Sequence, residues 1–166
     1  VKKDRTAFIV EMAVELGVAR LLPVATRHMN SERLRADKHR AHAVEAAEQC
    51  GATFVPEVDD LQPLDRLLAS WPQGRTLYWA DETLAAAAAT AAATAAGPLT
   101  AGPLTAGPIA AGPAAILIGP EGGFSDDEKT RLRALAFVRP LSLGPRILRA
   151  ETAALAAVVL WQSAVG

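Results

Sequence analysis

The sequence of 166 residues has a single cysteine, few aromatic residues and almost no net charge. Cys50 alone excludes an internal disulfide and suits a reducing compartment, so the sequence predicts a cytoplasmic location. A net charge of −1 excludes a domain that grips nucleic acid over its whole surface, while a local basic patch stays open. No apolar run reaches the roughly 18 residues of a membrane span and no signal peptide is visible, so no membrane partner is expected.

Short apolar runs alternate with helical patterns along most of the chain. The predicted strands cover 18–25, 52–58, 76–80, 114–118 and 138–143. The first predicted helix includes Ile9 to Leu16. The other predicted helices cover 31–49 with Ser31 as cap, 63–71, 125–136 with a Ser125–Glu128 capping box, and 150–165. This order predicts an α/β fold with a mostly parallel sheet, in one domain over residues 1–166.

The segment 85–113 interrupts this order. Residues 85–96 are nearly all alanine and threonine, and residues 97–113 repeat Gly-Pro-Leu-Thr-Ala with a period of five. Collagen needs glycine at every third position, and repeated Gly-Pro prevents a continuous helix. The few leucines cannot bury enough surface to order the segment, so it is predicted to be a flexible surface insertion.

Two glycine-containing turns follow the last two predicted strands. They are 119–123, Gly-Pro-Glu-Gly-Gly, and 144–149, Gly-Pro-Arg-Ile-Leu-Arg, and a helix-prone stretch follows each of them. The carboxyl ends of neighbouring strands are where open α/β sheets bind small molecules. Two such turns within 35 residues therefore predict a ligand site. The alternative for either turn alone is that its glycines only permit a tight bend with positive φ.

The residue types in these turns indicate the class of ligand. The first turn lacks the Gly-Lys-Ser/Thr ending of a P-loop and the spacing of a dinucleotide fingerprint, and Glu121 would repel a phosphate. A neutral or cationic ligand such as S-adenosylmethionine fits better. Arg146 and Arg149 in the second turn are suited to bind a carboxylate, a phosphate or a developing oxyanion. Solvated arginines and a Glu151 that favours the helix N-terminus are the alternative.

A basic stretch at 27–42 holds all three histidines and several cations. It is a candidate contact for a phosphate backbone, and a solvated helix face is the alternative. His39 and His42 have helical spacing for a metal, but no third ligand is evident and no metal is expected. The three tryptophans are expected to pack in the core or in a dimer interface. The cations of the stretch are Arg27, Arg33, Arg35, Lys38 and Arg40.

The two turns in their sequence context resemble the RsmE family, the small-subunit ribosomal RNA (uracil-N3) methyltransferases of the SPOUT class. Residues 117–123 read Leu-Ile-Gly-Pro-Glu-Gly-Gly, and residues 143–153 read Leu-Gly-Pro-Arg-Ile-Leu-Arg-Ala-Glu-Thr-Ala. Upstream, Lys3-Asp4-Arg5, Glu15-Leu16-Gly17 and the stretch 45–51 agree with the same family. The resemblance covers nearly the whole chain apart from the 85–113 insertion.

The resemblance implies a fold, a cofactor and an assembly. The sheet would carry a deep trefoil knot at its C-terminal end, the cofactor would be S-adenosylmethionine, and the enzyme would be a homodimer that methylates ribosomal RNA of the small subunit. Three loops at the knot would bind the cofactor. Their residues in this chain are Ala80, Leu117, Ile118, Gly119, Pro120, Glu121, Gly122, Gly123, Leu143, Gly144, Ile147 and Leu148.

For the chemical step, methylation of uridine N3 requires stabilisation of the base and loss of a proton. Arg149 is the candidate that orients the base and stabilises its negative charge, and Glu151 is the candidate proton acceptor. Helix-capping roles for both stay open. The RNA-binding candidates are Arg27, Arg33, Arg35, Arg40 and Arg146.

The chain also departs from the family pattern. Family members carry an N-terminal RNA-binding barrel that resembles a PUA domain, and nothing in this sequence corresponds to it. Ala52 stands where an arginine usually follows the Glu-Gln-Cys-Gly stretch. Two further hypotheses therefore stay open: a knotted dimer that binds cofactor but is inactive, and a SPOUT methyltransferase with another RNA target. The exact nucleotide is left open by the sequence.

Overall fold

The structure is a computed structural model that describes residues 2–29, 35–85, 109 and 111–165. The chain divides into two compact units, Val1–Trp71 and Pro72–Gly166. Both units combine helices with parallel strands, and every strand pair found among the described residues is parallel. The predicted α/β class with parallel sheet is therefore confirmed.

The described residues of the first unit form three helices and four very short strands. Strand β1 pairs with β3 and β2 pairs with β4, which makes two separate two-stranded sheets. In chain order the elements are α1 Lys2–Glu15, β1 Arg20–Leu21, β2 Val24–Ala25, α2 Ala36–Cys50, β3 Glu57–Val58, β4 Gln62–Pro63 and α3 Leu64–Ala69.

Helices α1 and α2 share the core of this unit. Val10 and Val14 of α1 are buried in one cluster with alanines of α2 and with Val58 of β3. Ala43 is fully buried there, and its small side chain allows the two helices to approach closely. Gly51 ends α2 in the left-handed conformation with φ 69°, which is the ordinary glycine stop of a helix.

Among its described residues, the second unit contains a three-stranded sheet in the order β6-β5-β7, two long helices and a helical stretch at 83–85. Its elements are β5 Thr76–Ala80, β6 Ala114–Leu117, α4 Asp126–Ala134, β7 Val138–Leu141 and α5 Ala150–Val165. The predicted capping box is confirmed, because the Ser125 side chain accepts from the Glu128 backbone while the Glu128 side chain accepts from the Ser125 backbone.

Strand β5 is central, and its side chains are buried on both faces of the sheet. Tyr78 belongs to the cluster with Leu141 and with Ala157 of α5. The next residue, Trp79, is 1% exposed and lies under Arg133 of α4. Because successive strand residues point to opposite faces, α5 and α4 cover opposite faces of this sheet.

The predicted elements of the second unit agree closely with the structure, and those of the first unit agree less well. Strand 76–80 and helix 150–165 have the predicted bounds. The predicted strands 18–25 and 52–58 are wrong in length, because Pro23 and Pro56 lie at their interruptions and proline donates no backbone hydrogen bond. Helix α2 begins at Ala36 with Arg35 as its N-cap, and the predicted cap Ser31 lies outside the described residues.

Most of the predicted 85–113 insertion lies outside the described residues, so its flexibility stays a prediction. At its two ends, Ala85 is buried and Ile109 contacts the cluster around Tyr78. Within the described part of the chain, no helix has the length and apolar character needed to cross a membrane.

Candidate functional site

The three strands of the second unit end at one edge of the sheet, and a loop follows each of them there. Trp79 is in register with Leu117, and Ala80 is in register with Leu141. We call the stretches that follow the edge loops: the first edge loop is 81–85, whose last three residues are helical, the second is 118–125 and the third is 142–149. Parallel strands thus bring the two predicted Gly-Pro turns and the end of β5 together.

The second edge loop makes a tight turn with its backbone closely packed. The Gly123 N–H donates to the Pro120 carbonyl at 2.9 Å, and Gly123 has φ +67°. A Cβ on Gly123 would lie 2.5 Å from Glu82 Oε1, and one on Gly119 would lie 2.9 Å from the Phe124 ring. Conformation favours glycine at 123, and close neighbours leave little space for a side chain at either position, so the loop presents main chain where other residues would present side chains.

The third edge loop leads from β7 into α5. Gly144 is buried and has φ 92°, a conformation that favours glycine. The Ala153 N–H donates to the Arg149 carbonyl at 2.8 Å, which places Arg149 at the N-terminus of α5. Arg146 and Arg149 are exposed, and the Ile147 side chain is 78% exposed. Two cations and an apolar side chain are therefore available to a ligand at this edge.

All the residues predicted to bind cofactor lie at the strand ends or in the second and third edge loops, and both catalytic candidates lie where the third edge loop enters α5. The structure therefore brings this set together, and the role of each residue stays a prediction. The set consists of Ala80, Leu117, Ile118, Gly119, Pro120, Glu121, Gly122, Gly123, Leu143, Gly144, Ile147, Leu148, Arg149 and Glu151.

Sequence reasoning missed a buried charged group at the first edge loop. The Asp81 side chain is 2% exposed and pairs with Arg133 of α4, whose Nη2 donates to Oδ2 at 2.9 Å. Asp81 Oδ1 also accepts from the N–H and the hydroxyl of Thr83, at 3.0 and 2.7 Å. The available signal was an Asp-Glu pair directly after a strand that was correctly predicted.

The basic candidates of the first unit are largely paired with acids. Arg35 makes an ion pair with Asp37 at 2.7 Å, which raises the pKa of Arg35 and lowers the pKa of Asp37. Arg40 donates to the Val58 carbonyl at 2.9 Å and to Asp60 at 3.0 Å. Arg27 is exposed, and Arg33 lies outside the described residues. These ion pairs reduce the local positive potential that a phosphate backbone would meet.

Arg40 also lines a groove of about 760 Å³ within the first unit. Arg20 on its wall donates to both Asp59 oxygens, at 2.9 and 2.8 Å. The charged groups of the groove are near balance, so its electrostatics favour neither an anionic nor a cationic ligand. The lining charges are Arg20, Arg40, Glu57, Asp59, Asp60 and Arg66.

The histidines offer no metal site in the part of the chain that the structure describes, where no group of three or more His, Cys, Asp or Glu side chains has metal-binding geometry. Burial lowers the pKa of His39, and the neighbouring His42 adds to the decrease. Trp79 is in the core as predicted, and Trp161 packs against the cluster of Tyr78 and Ala157.

Solved structures of similar proteins share this fold. A ribosomal RNA small subunit methyltransferase E from Neisseria gonorrhoeae, bound to S-adenosyl methionine, is 28% identical with a TM-score of 0.73. A putative methyltransferase from Legionella pneumophila, in complex with the same cofactor, is 29% identical with a TM-score of 0.71. Each comparison covers 98% of this chain and 62% of the other.

Curated relatives agree with the structures. Proteins named ribosomal RNA small subunit methyltransferase E from Rickettsia conorii and Buchnera aphidicola are 26% and 29% identical over 95% and 99% of this chain. The chain spans only 59% and 63% of the length of these two relatives. The family model described as RNA methyltransferase domain matches residues 1–162, and the chain therefore belongs to the RNA methyltransferase domain family.

Proposed function

We propose that this chain is the catalytic part of an enzyme that transfers a methyl group from S-adenosylmethionine to N3 of a uridine in small-subunit ribosomal RNA. The observation that carries the proposal is the meeting of three loops at the carboxyl edge of the β6-β5-β7 sheet, with Gly119, Gly123 and Gly144 in the second and third. The names of the relatives and their bound cofactor support the same reaction.

The residues at this edge fit S-adenosylmethionine. An adenosine is recognised well by main-chain N–H and C=O groups, and Gly119 and Gly123 leave no room for side chains that would cover them. Exposed Glu121 suits a ligand that carries positive charge and opposes a polyphosphate. When bound, this cofactor supplies an electrophilic methyl group on a sulfonium. The twelve cofactor candidates named above are the residues that would hold it.

Arg149 and Glu151 are proposed to act on the uridine. Uridine N3 carries a proton, so methylation is accelerated by a group that accepts it and by a group that stabilises the anionic base. Arg149 is exposed at the N-terminus of α5, where its guanidinium is accessible to a base. Glu151, two residues later and half-buried, is the proposed proton acceptor.

The proposed RNA contacts are Arg146 of the third edge loop and, separately, Arg27, Arg33, Arg35 and Arg40 in the sequence of the first unit. Since Arg35 and Arg40 already pair with Asp37 and Asp60, their contribution to RNA affinity is expected to be small. A longer protein, with the barrel that the resemblance implies, would supply most of the affinity. The ribosomal RNA substrate and the free Cys50 support a cytoplasmic location.

The finer fold and the assembly also belong to this proposal. The SPOUT class implies a trefoil knot at the C-terminal end of the sheet and a homodimer. Apolar Leu155 and Val159 lie one turn apart on α5 and are 39% and 42% exposed. An exposed apolar pair on one face of this helix supports a dimer in which a second copy covers it.

The test of the chemical role is Arg149→Ala, with Arg139→Ala as the matched control. Arg139 is also exposed, lies on β7 and donates to the carbonyls of Ala136 and Val138. In a fusion to the barrel of a family member, Arg149→Ala is expected to lower methyl transfer to unmodified small-subunit RNA about 10²–10³-fold with cofactor affinity little changed. Arg139→Ala is expected to leave the rate near that of the unsubstituted fusion.

Three other outcomes would change the assignment. An equal fall in cofactor affinity and in rate would move Arg149 to the cofactor pocket. An unchanged rate would reduce Arg149 to a structural role at the start of α5. Absence of cofactor binding by the unsubstituted chain would overturn the proposed function itself.

A further inference from the structure

Two ion pairs join the first edge loop to helix α4. Asp81 pairs with Arg133 at 2.9 Å, and Glu82 pairs with Lys129 at 3.2 Å. We call them the loop–helix ion pairs. Lys129 and Arg133 are four residues apart and lie on one face of α4, while their partners are adjacent in the chain directly after β5. The loop at the end of the central strand is therefore held to this helix at two successive positions.

The Asp81–Arg133 pair, which is the more buried of the two, is held in place by several hydrogen bonds. The Asp81 N–H donates to the Leu141 carbonyl at 3.2 Å, so its backbone continues the pairing of β5 with β7. Its carboxylate bonds Thr83 through one oxygen and Arg133 through the other, and Arg133 Nη2 also donates to the Thr83 hydroxyl at 3.0 Å. A 2% exposed carboxylate with this many donors has little freedom to move.

The Glu82–Lys129 pair, which is the more exposed of the two, contacts the second edge loop. Glu82 Oε1 would lie 2.5 Å from a Cβ on Gly123, so this carboxylate lies directly against the main chain of the Gly119–Gly123 turn. Lys129 holds Glu82 from the other side and is only 18% exposed. A shift of Glu82 would therefore disturb the packing of the turn.

A second line of contacts runs from Arg133 to the same turn. The Arg133 guanidinium lies 5.4 Å from the centre of the Trp79 ring, at the distance of a cation–π contact. The Trp79 ring meets the Phe124 ring edge-to-face at 5.9 Å. The Phe124 ring in turn lies 2.9 Å from the position that a Cβ on Gly119 would take. Glu82 of one ion pair thus lies against one end of the Gly119–Gly123 turn, and Arg133 of the other pair reaches the other end through the Trp79 and Phe124 rings.

We propose that Asp81, Glu82, Lys129 and Arg133 are positioning residues that set the affinity for S-adenosylmethionine by fixing the first two edge loops against each other. This inference rests on the proposed function, because it assigns the cofactor to those loops. Loops that are ordered before binding need not be ordered by the ligand, and the ordering cost is thereby removed from the binding free energy. None of the four side chains needs to touch the cofactor for this effect.

The experiment is calorimetry on the full 166-residue chain with S-adenosylmethionine and with its demethylated product. Arg133→Gln is expected to weaken both ligands about 10–100-fold, the range typical of residues that support a binding shell, and Lys129→Gln less, since Glu82 is half exposed. Arg133→Lys is expected to restore most of the affinity. The matched control is Arg20→Gln, which breaks the Arg20–Asp59 ion pair of the first unit and is expected to change affinity less than about twofold.

The two ligands separate positioning from direct electrostatics. S-adenosylmethionine carries a sulfonium and its product does not, so loss of a nearby positive charge alone would strengthen the first relative to the second. Positioning predicts a parallel loss for both ligands. An unchanged affinity in Arg133→Gln, or a change confined to the sulfonium ligand, would overturn the inference.

Folding and the proposed function are checked in the same series. If Arg133→Gln does not fold, Lys129→Gln decides: a parallel loss of affinity for both ligands supports the inference, and wild-type affinity for both overturns it. If the unsubstituted chain binds neither ligand, the proposed function fails and this inference fails with it. If the unsubstituted chain binds both ligands and the folded variants bind them with unchanged affinity, only the inference fails.

Discussion

At the scale of single residues, the glycines of the edge loops allow the tight turns that form the proposed site. Gly123 and Gly74 have similar backbone conformations, with φ +67° and +76°, but their surroundings differ. A Cβ at Gly123 would meet Glu82, whereas a Cβ at Gly74 would meet no atom within 4 Å. The pair therefore separates the effect of conformation from the effect of space.

Gly123→Ala and Gly74→Ala are each expected to lower the free energy of unfolding by about 1–2 kcal/mol, because both place a side chain in the left-handed region. Only Gly123→Ala is expected to weaken S-adenosylmethionine binding, by about tenfold or more, since it displaces Glu82. Urea unfolding and calorimetry measure the two effects. Equal cofactor affinity in both variants would contradict the importance of the close approach.

At the scale of elements, helix α4 links the site to the sheet. It begins directly after the second edge loop, with Ser125 as its cap, and it carries Lys129 and Arg133. Three acidic residues in its first turn and Arg131 and Arg133 near its end complement the helix dipole. A less stable N-terminus of α4 is therefore expected to make the preceding turn less ordered.

Ser125→Ala is expected to lower the free energy of unfolding by about 1 kcal/mol, because it removes the acceptor for the Glu128 N–H at the first turn. Ser70→Ala is the control. The Ser70 hydroxyl donates to carbonyls at the end of α3, and its loss is expected to cost less than about 0.5 kcal/mol. Urea unfolding followed by circular dichroism compares them, and equal losses would argue against a special role for the capping box.

At the scale of the whole molecule, the chain matches one family model over residues 1–162 although it divides into two compact units. The catalytic and cofactor candidates all lie in the second unit, and all but one of the RNA-binding candidates lie in the first. The chain covers 59% of the length of one curated relative and 63% of another.

Light scattering at micromolar concentration is expected to give twice the monomer mass of 17.4 kDa. The double substitution Leu155→Glu with Val159→Glu is expected to shift the protein to monomer, because it places charges in the proposed apolar interface. Phe54→Glu, at a residue of the first unit that is 47% exposed, is the control and should leave the dimer intact. A monomeric mass for the unsubstituted chain would contradict the proposed assembly.

Local patterns in the sequence were sufficient for the second unit. Alternation of apolar runs and capping signals predicted β5 and α5 with the observed bounds, and the Ser125–Glu128 pair predicted a cap that the structure confirms. These features depend on residues close in the chain, whose preferences are readable without tertiary context. The two Gly-Pro turns, and the family resemblance based on them, are likewise readable from residues close together in the chain.

Tertiary structure decided the partners of the strands and the surroundings of the site. In the first unit, Pro23 and Pro56 interrupt the predicted runs, and local apolar runs do not report which of the remaining two-residue stretches pair with each other. Asp81 and Arg133 are 52 residues apart, and they meet because β5 lies between β6 and β7 while α4 packs on the Trp79 face. The sequence by itself determined which residues turn the chain at the edge of the sheet. The charges that hold those turns in place were decided by long-range strand pairing, which has no local signature.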